Sequence, residues 1–208
     1  MKKLVLGAAI AMSSLTFAQQ FGIKAGMNVS SLSSDSQLSD QASKIGFNAG
    51  LFMNAPIAEN FSIQPELLYN NLGSKVTLSE TEIGGTTYRN EYARHLDYLT
   101  VPVMFQYNAT PSFYLEAGPE FGLMISAKDK YKSTENGTPQ NVETNDLNID
   151  RFNKFNLGVG IGAGYYFTPN VGLTARYVAG LTDIAKDRPS GSDSVKNNVF
   201  QVGLAYKF

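Results

Sequence analysis

The chain has 208 residues, 17 Lys and Arg against 18 Asp and Glu, and a formal net charge of −1. Such a balance gives no reason to expect nucleic acid as a partner. The absence of Cys removes disulfides, thiolate metal sites and a lipid anchor on a leading cysteine. After the first segment no uninterrupted apolar run approaches the roughly 18 residues of a membrane helix. A secreted domain and a membrane β-barrel both fit, because barrel strands hide their lipid face in alternation.

In chain order, Met1, Lys2 and Lys3 form a short basic start, and residues 4–12 are apolar and uncharged. Residues 13–18 supply small side chains suited to cleavage after Ala18. This pattern predicts a secretory signal peptide over residues 1–18, with a mature domain over 19–208.

Eight segments then alternate with period two, over residues 21–29, 45–53, 61–69, 98–107, 113–126, 155–167, 171–182 and 199–208. One face of every segment is apolar, as in Phe21, Ile23, Met27 and Val29, or Leu99, Val101, Val103 and Phe105, and it carries no charge. The other face is small and polar and holds Lys24, Glu66, Glu116, Glu120 and Arg176, with Phe52, Met104 and Met124 as larger exceptions. Gly158, Gly160, Gly162 and Gly164 share that second face, which predicts a narrow interior leaving room for long neighbours. Periodicity alone does not say which face is inside, since a soluble barrel and a membrane barrel invert one another. Charges confined to the glycine-rich face, together with the signal peptide, favour an all-β, eight-stranded, antiparallel up-and-down transmembrane barrel.

Connections 54–60, 108–112 and 168–170 are short, whereas 31–44, 72–97, 128–154 and 183–198 are long and polar. Their alternation predicts tight periplasmic turns, long extracellular loops and both termini on the periplasmic side. Tyr69, Tyr107, Tyr165, Phe167, Tyr206 and Phe208 fall near strand ends, where an aromatic girdle belongs. Pro65, Pro102 and Pro119 lie inside strands, where each removes a ladder donor. Pro102 and Pro119 fall almost opposite one another, which predicts a paired kink or bulge.

The last strand ends Gln201-Val-Gly-Leu-Ala-Tyr-Lys-Phe208. Gln201, Gly203, Tyr206 and the terminal Phe208 resemble the signal by which the outer-membrane assembly machinery recognises a barrel's final strand. The five charges of the inner face admit two readings. One is a buried ion-pair network plugging the lumen, and the other a narrow polar pore or charge gate. His95 and Asp97 share a face if their segment is a strand, yet no nucleophile can be tied to them. Glu143, Asp146 and Asp150 lack regular ligand spacing. No catalytic residue, metal site or cofactor is therefore expected.

Residues 97–107 (DYLTVPVMFQY) followed by 113–122 (FYLEAGPEFG) resemble the paired core strands of the PorT-like outer-membrane β-barrel family. Residues 21–28 and 63–69 are similar to its pattern as well. The resemblance implies an eight-stranded barrel in a Gram-negative outer membrane, and the family's namesake is linked to a protein secretion system. The expected role is a non-enzymatic structural or interaction barrel supporting protein secretion or envelope assembly. The alternative is a small transport or adhesion barrel that binds an extracellular ligand through loops or lumen. Expected partners are outer-membrane lipid, the barrel assembly machinery and secretion or envelope proteins.

Overall fold

The computed structural model describes residues 19–33, 41–186 and 194–208. The segment read as a signal peptide lies outside these residues, as do parts of the first and fourth long connections. Nine antiparallel strands follow in order: β1 (Gln20–Ser33), β2 (Gln41–Ala58), β3 (Phe61–Ile83), β4 (Thr86–Asn108), β5 (Phe113–Glu135), β6 (Thr138–Asp146), β7 (Phe155–Tyr166), β8 (Val171–Gly180) and β9 (Lys196–Lys207). All but β6 form a closed ring, in which β5 pairs with both β4 and β7, and β9 pairs with both β8 and β1. Closure satisfies backbone donors and acceptors around the circumference, the condition for a sheet to survive in lipid.

Each of the eight alternating segments falls within one ring strand or extends a residue or two past its end. Their apolar faces point outward: Phe21, Leu51, Phe105, Ile161, Leu173 and Leu204 are exposed. Their partners on the other face, Lys24, Glu66, Glu116, Glu120 and Arg176, are buried in the lumen. An uncharged apolar belt of this extent around a polar interior is a surface built for hydrocarbon. At one end the turns are tight. Thr110 Oγ1 accepts from the amides of Ser112 (3.2 Å) and Phe113 (2.9 Å), and Thr168 Oγ1 accepts likewise from Asn170 (3.3 Å) and Val171 (2.9 Å). The chain ends meet at this same side, where the Phe208 amide donates to the Phe21 carbonyl at 2.9 Å.

At the opposite end the expectation of plain loops over 72–97 and 128–154 is corrected. Strands β3 and β4 continue without a loop to a tight turn at Gly84 and Gly85, whose φ angles of 60° and 80° suit glycine. Strand β5 likewise runs on to a turn at Asn136 (φ 47°) and Gly137 (φ 80°), and β6 returns along it. A ninth strand is thus added to the eight expected. Beyond the membrane belt β3, β4, β5 and β6 form a four-stranded sheet that prolongs one side of the wall. These outer stretches are mostly polar on both faces, with only scattered apolar residues such as Leu78 and Ile83, so they carry no sustained hydrophobic period to reveal them.

The prolines also behave differently from expectation. Pairing of β4 with β5 lapses between Pro102↔Glu120 and Phe105↔Ala117 and resumes in the same register, so the feature is a gap and not a bulge. Equivalent gaps occur beside Pro65 in the β2–β3 ladder and beside Pro102 in the β3–β4 ladder. Each missing proline N–H faces the preceding strand, and the three gaps step diagonally across the wall.

Candidate functional site: a filled lumen beneath an extracellular sheet

The lumen is packed at three heights. Near the tight turns Phe52, Tyr114, Tyr166 and Ala205 form a buried cluster, with the Tyr114 and Tyr166 rings 6.1 Å apart. Lys207 Nζ stands 3.9 Å from the Tyr166 ring centre, a favourable cation–π placement. Phe52, an exception on a polar face by its periodicity, is here a plug residue.

At mid-height Arg176 on β8 spans the lumen. Its Nη1 and Nη2 donate to Glu66 Oε2 and Oε1 at 2.9 and 2.7 Å, and its Nε donates to Glu116 Oε1 at 2.7 Å. Lys24 Nζ reaches Glu66 Oε1 at 3.1 Å. Two cations therefore meet two carboxylates, and the bidentate fork onto Glu66 is the geometry that makes Arg the preferred partner of a buried carboxylate. Neutral amides complete the shell: Gln64 Nε2 donates to Glu66 Oε1 at 2.8 Å, and Gln106 Nε2 to Glu116 Oε2 at 3.1 Å. Room for these side chains comes from β7. A Cβ on Gly162 would stand 2.9 Å from Glu116 Oε1, and one on Gly160 would stand 3.5 Å from Arg176 Cδ.

Of the five charges singled out in the sequence, four converge here. Glu120 does not join them: it is buried, forms no ion pair, and its Oε2 has no hydrogen-bond partner among the described residues. Beside the cluster a ladder of amides crosses the lumen. Asn48 Nδ2 donates to Asn28 Oδ1 (2.5 Å), Asn28 Nδ2 to Asn70 Oδ1 (3.1 Å), and Asn70 Nδ2 to Thr100 Oγ1 (2.8 Å). Gln201 Nε2 closes it onto Asn70 Oδ1 from β9 at 3.1 Å. Asn28, Asn48 and Asn70 carry no charge, but their alternation with the outer apolar residues already marks them as inward.

The third layer is apolar. Leu72, Leu96, Tyr98, Met124, Ala127, Val178, Ile184 and Val199 fill the extracellular mouth, and Leu147, Ile149 and Phe152 descend onto them from the segment after β6. A single 3-10 turn, Ile149–Arg151, shapes that descent, with Asn148 Oδ1 accepting from the Asp150 amide at 2.9 Å. Met124, another exception in the sequence pattern, belongs to this layer.

Above it the sheet is held by charged pairs. Arg94 donates twice to Asp129, at 2.8 and 2.9 Å, and Lys75 pairs with Glu91 at 2.7 Å. Burial is the largest single influence on Asp129 and opposes its ionisation, but the hydrogen bonds from Arg94 and Tyr92 together with the charges of Arg94 and His95 outweigh it and hold the carboxyl below its ordinary value. His95 lies on the outer face of β4. Burial, with Lys44 and Lys130 adding to it, lowers its pKa. Asp97 accepts from Asn71 Nδ2 at 2.5 Å, and no hydrogen bond joins it to His95 among the described residues. Asp146 pairs with Lys128 (3.1 Å) and Asp150 with Lys154 (2.6 Å), while Glu143 Oε1 accepts from Asn141 (3.3 Å). Among the described residues no cluster of His, Asp and Glu is placed to hold a metal.

The terminal residues lie on the strand that closes the ring. Gln201 points into the lumen, and Tyr206 and Phe208 point outward with their rings 5.6 Å apart. Gly203 sits opposite Gly26, where a Cβ would meet the Ala25 carbonyl at 2.5 Å.

Among curated proteins none matches the sequence. The fold is similar to that of Ail, the attachment invasion locus protein of Yersinia pestis, at 16% identity over 92% of this chain and 100% of that one, with a TM-score of 0.47. It is similar to Neisserial surface protein A at 16% identity, 92% and 99% coverage, and a TM-score of 0.48. OprG from Pseudomonas aeruginosa gives 15% identity, 92% and 96% coverage, and a TM-score of 0.44. The family model described as outer membrane protein beta-barrel domain matches residues 17–186, most of the chain. With a closed ring, an outward apolar belt and that match, the chain belongs to the outer membrane protein beta-barrel domain family.

Proposed function

We propose that this barrel is a non-enzymatic interaction protein of the outer membrane, acting by contact through the extracellular sheet and not by passing solutes through its lumen. The observation that carries this reading is the filling of the lumen at three successive heights, with Arg176 clamped between Glu66 and Glu116 at the centre. A transport barrel needs a continuous wet path, which the aromatic and aliphatic layers oppose. Leu78, Ile83, Tyr88 and Val142 stand exposed near the far end of the sheet, and apolar side chains beyond the membrane suit a contact surface.

The PorT-like resemblance of the paired β4 and β5 segments supports placing the chain in that narrower group. A secretion or envelope-assembly complex is then the partner class we favour. Residues 1–18 serve as a cleaved signal peptide, and the Gln201, Gly203, Tyr206 and Phe208 pattern serves recognition by the assembly machinery. Two measurements on protein purified from outer membranes test the whole reading. In planar bilayers it should give no steady unitary current; reproducible channels would overturn the closed-lumen assignment. On semi-native gels of unboiled membranes, a high-mass band that collapses on boiling supports a stable complex, and an intact mass starting at Gln19 supports cleavage. A lone compact band, with no heavier species after crosslinking, would remove the secretion-partner reading.

A further inference from the structure

Just above the apolar belt, on the outer face of the wall, the lining of a cavity of about 340 Å³ includes Lys44, Ile45, Lys75, Glu91, His95, Lys130 and Lys132. Four of these are lysines and one is a carboxylate, so the lining carries a formal charge of 4 − 1 = +3 with His95 neutral. The carboxylate is already engaged, by Lys75 at 2.7 Å and Arg89 at 3.0 Å. Lys44 is buried, and its Nζ is held by neutral acceptors, Asn71 Oδ1 at 2.5 Å and the Leu72 carbonyl at 3.1 Å. Lys130 and Lys132 lie within no salt-bridge distance of a carboxylate among the described residues, although Lys132 stands across the ladder from Glu91 and adds to the effect of Lys75 in lowering its pKa. Positive charge is thus concentrated at the cavity, with Glu91 the single carboxylate among its lining residues.

Its height is set by the register. Tyr69, Leu99 and Ile125 are the large apolar residues that end the outward belt on β3, β4 and β5. The next outward row, Asn71↔Asp97↔Ser126, is polar, and Lys75↔Ala93↔Lys130 lies two rows further out. At ~3.3 Å per residue along tilted strands, Lys130 stands about 12–17 Å beyond Ile125. Lysine chains reach back toward the interface from there. On the membrane side the cavity is bounded by exposed Ile45, beneath which Phe47 and Tyr69 pack at 5.4 Å. An apolar lower edge with cationic arms above it matches a molecule whose acyl chains lie in the membrane and whose phosphate lies at its surface.

We propose that this cavity binds the phosphate of an anionic glycolipid of the outer leaflet, with Lys130 and Lys132 as the free cationic arms and Ile45 against the lipid. The assignment rests on the outward orientation of the long strands but not on the contact function proposed above. Native mass spectrometry of the full chain in neutral detergent tests it, with diphosphoryl lipid A and its dephosphorylated form as probes. The diphosphoryl form should bind at least tenfold tighter. Replacing Lys130→Gln and Lys132→Gln together should weaken it about 30-fold, taking roughly fivefold per lysine near an anionic surface. The control Lys154→Gln, outside the cavity, should leave binding unchanged. The double variant should keep the heat-dependent gel shift of a folded barrel. Equal binding of the dephosphorylated lipid would reduce the site to acyl packing and overturn the proposal. So would binding indifferent to the double variant. Equally effective competition by glucosamine 1-phosphate would assign the cavity to soluble anions and overturn the lipid as its occupant. None of these outcomes bears on whether the lumen conducts.

Discussion

Strands β3, β4 and β5 run through two environments, and the same 23-residue strands are built differently in each. Within the belt, outward residues such as Leu67, Val101 and Phe121 meet lipid while inward Glu66, Gln106 and Glu116 are buried in a polar network. Beyond the belt and the apolar mouth both faces meet water, and the pairs that hold the sheet, such as Arg94 with Asp129 and Lys75 with Glu91, are partly exposed. A buried pair has no water to fall back on if one partner is lost, whereas an exposed pair does. The lumen should therefore respond sharply to single substitutions and the extracellular sheet weakly.

The largest effect is expected for Arg176→Ala. It leaves Glu66 with Lys24 alone and Glu116 without a cation, and should cost about 3–5 kcal/mol. Urea unfolding in lipid vesicles measures this, with conductance recorded on the same protein. Because the aromatic and aliphatic layers remain, conductance should stay absent. A variant that keeps its stability and opens a channel would assign Arg176 to a gate. Next comes Leu96→Ala in the apolar mouth, where a side chain with no exposed surface is lost. It should cost about 2–4 kcal/mol by the same unfolding assay; a loss below about 1 kcal/mol would mean that the mouth collapses easily and is not a rigid plug.

Smallest is Asp129→Asn, expected to cost under about 1 kcal/mol because the pair is partly solvated. Its signature is pH dependence. The folded carboxyl lies below its ordinary value. Its contribution is therefore fully present above the unfolded value near about 3.9 and is lost as pH falls through the lower folded one. Protection factors of amides in the outer β4–β5 ladder, taken relative to the intrinsic exchange rate at each pH, should thus fall in acid for the native chain, and the variant should lack this component. If both respond identically to acid, the Arg94–Asp129 pair does not hold the sheet.

How far the sequence could be read follows the same division. All eight ring strands and the burial of Lys24, Glu66, Glu116, Glu120 and Arg176 were legible because lipid outside and a polar lumen inside impose opposite demands on alternate residues. The outer halves of β3 to β5 and the whole of β6, with all nine residues exposed, were not legible, because water on both faces imposes no such period. Their turns, Gly84-Gly85 and Asn136-Gly137, left a local trace. Nor could the sequence separate Glu120 from its four companions, since a shared face says nothing about which charges reach one another across the lumen. Alternation determined the strands and their two unlike faces, because the period is set by the strand and its two solvents, and the confinement of charge to the glycine-rich face, with the signal-like start, pointed to which face is the interior. Only the tertiary structure decided that Arg176 joins Glu66 to Glu116, that residues after β6 seal the mouth, and that Lys44, Lys75, Lys130 and Lys132 gather around one cavity. Those meetings depend on register and on a ring that closes between residues as distant in sequence as Gly22 and Lys207, which no local pattern encodes.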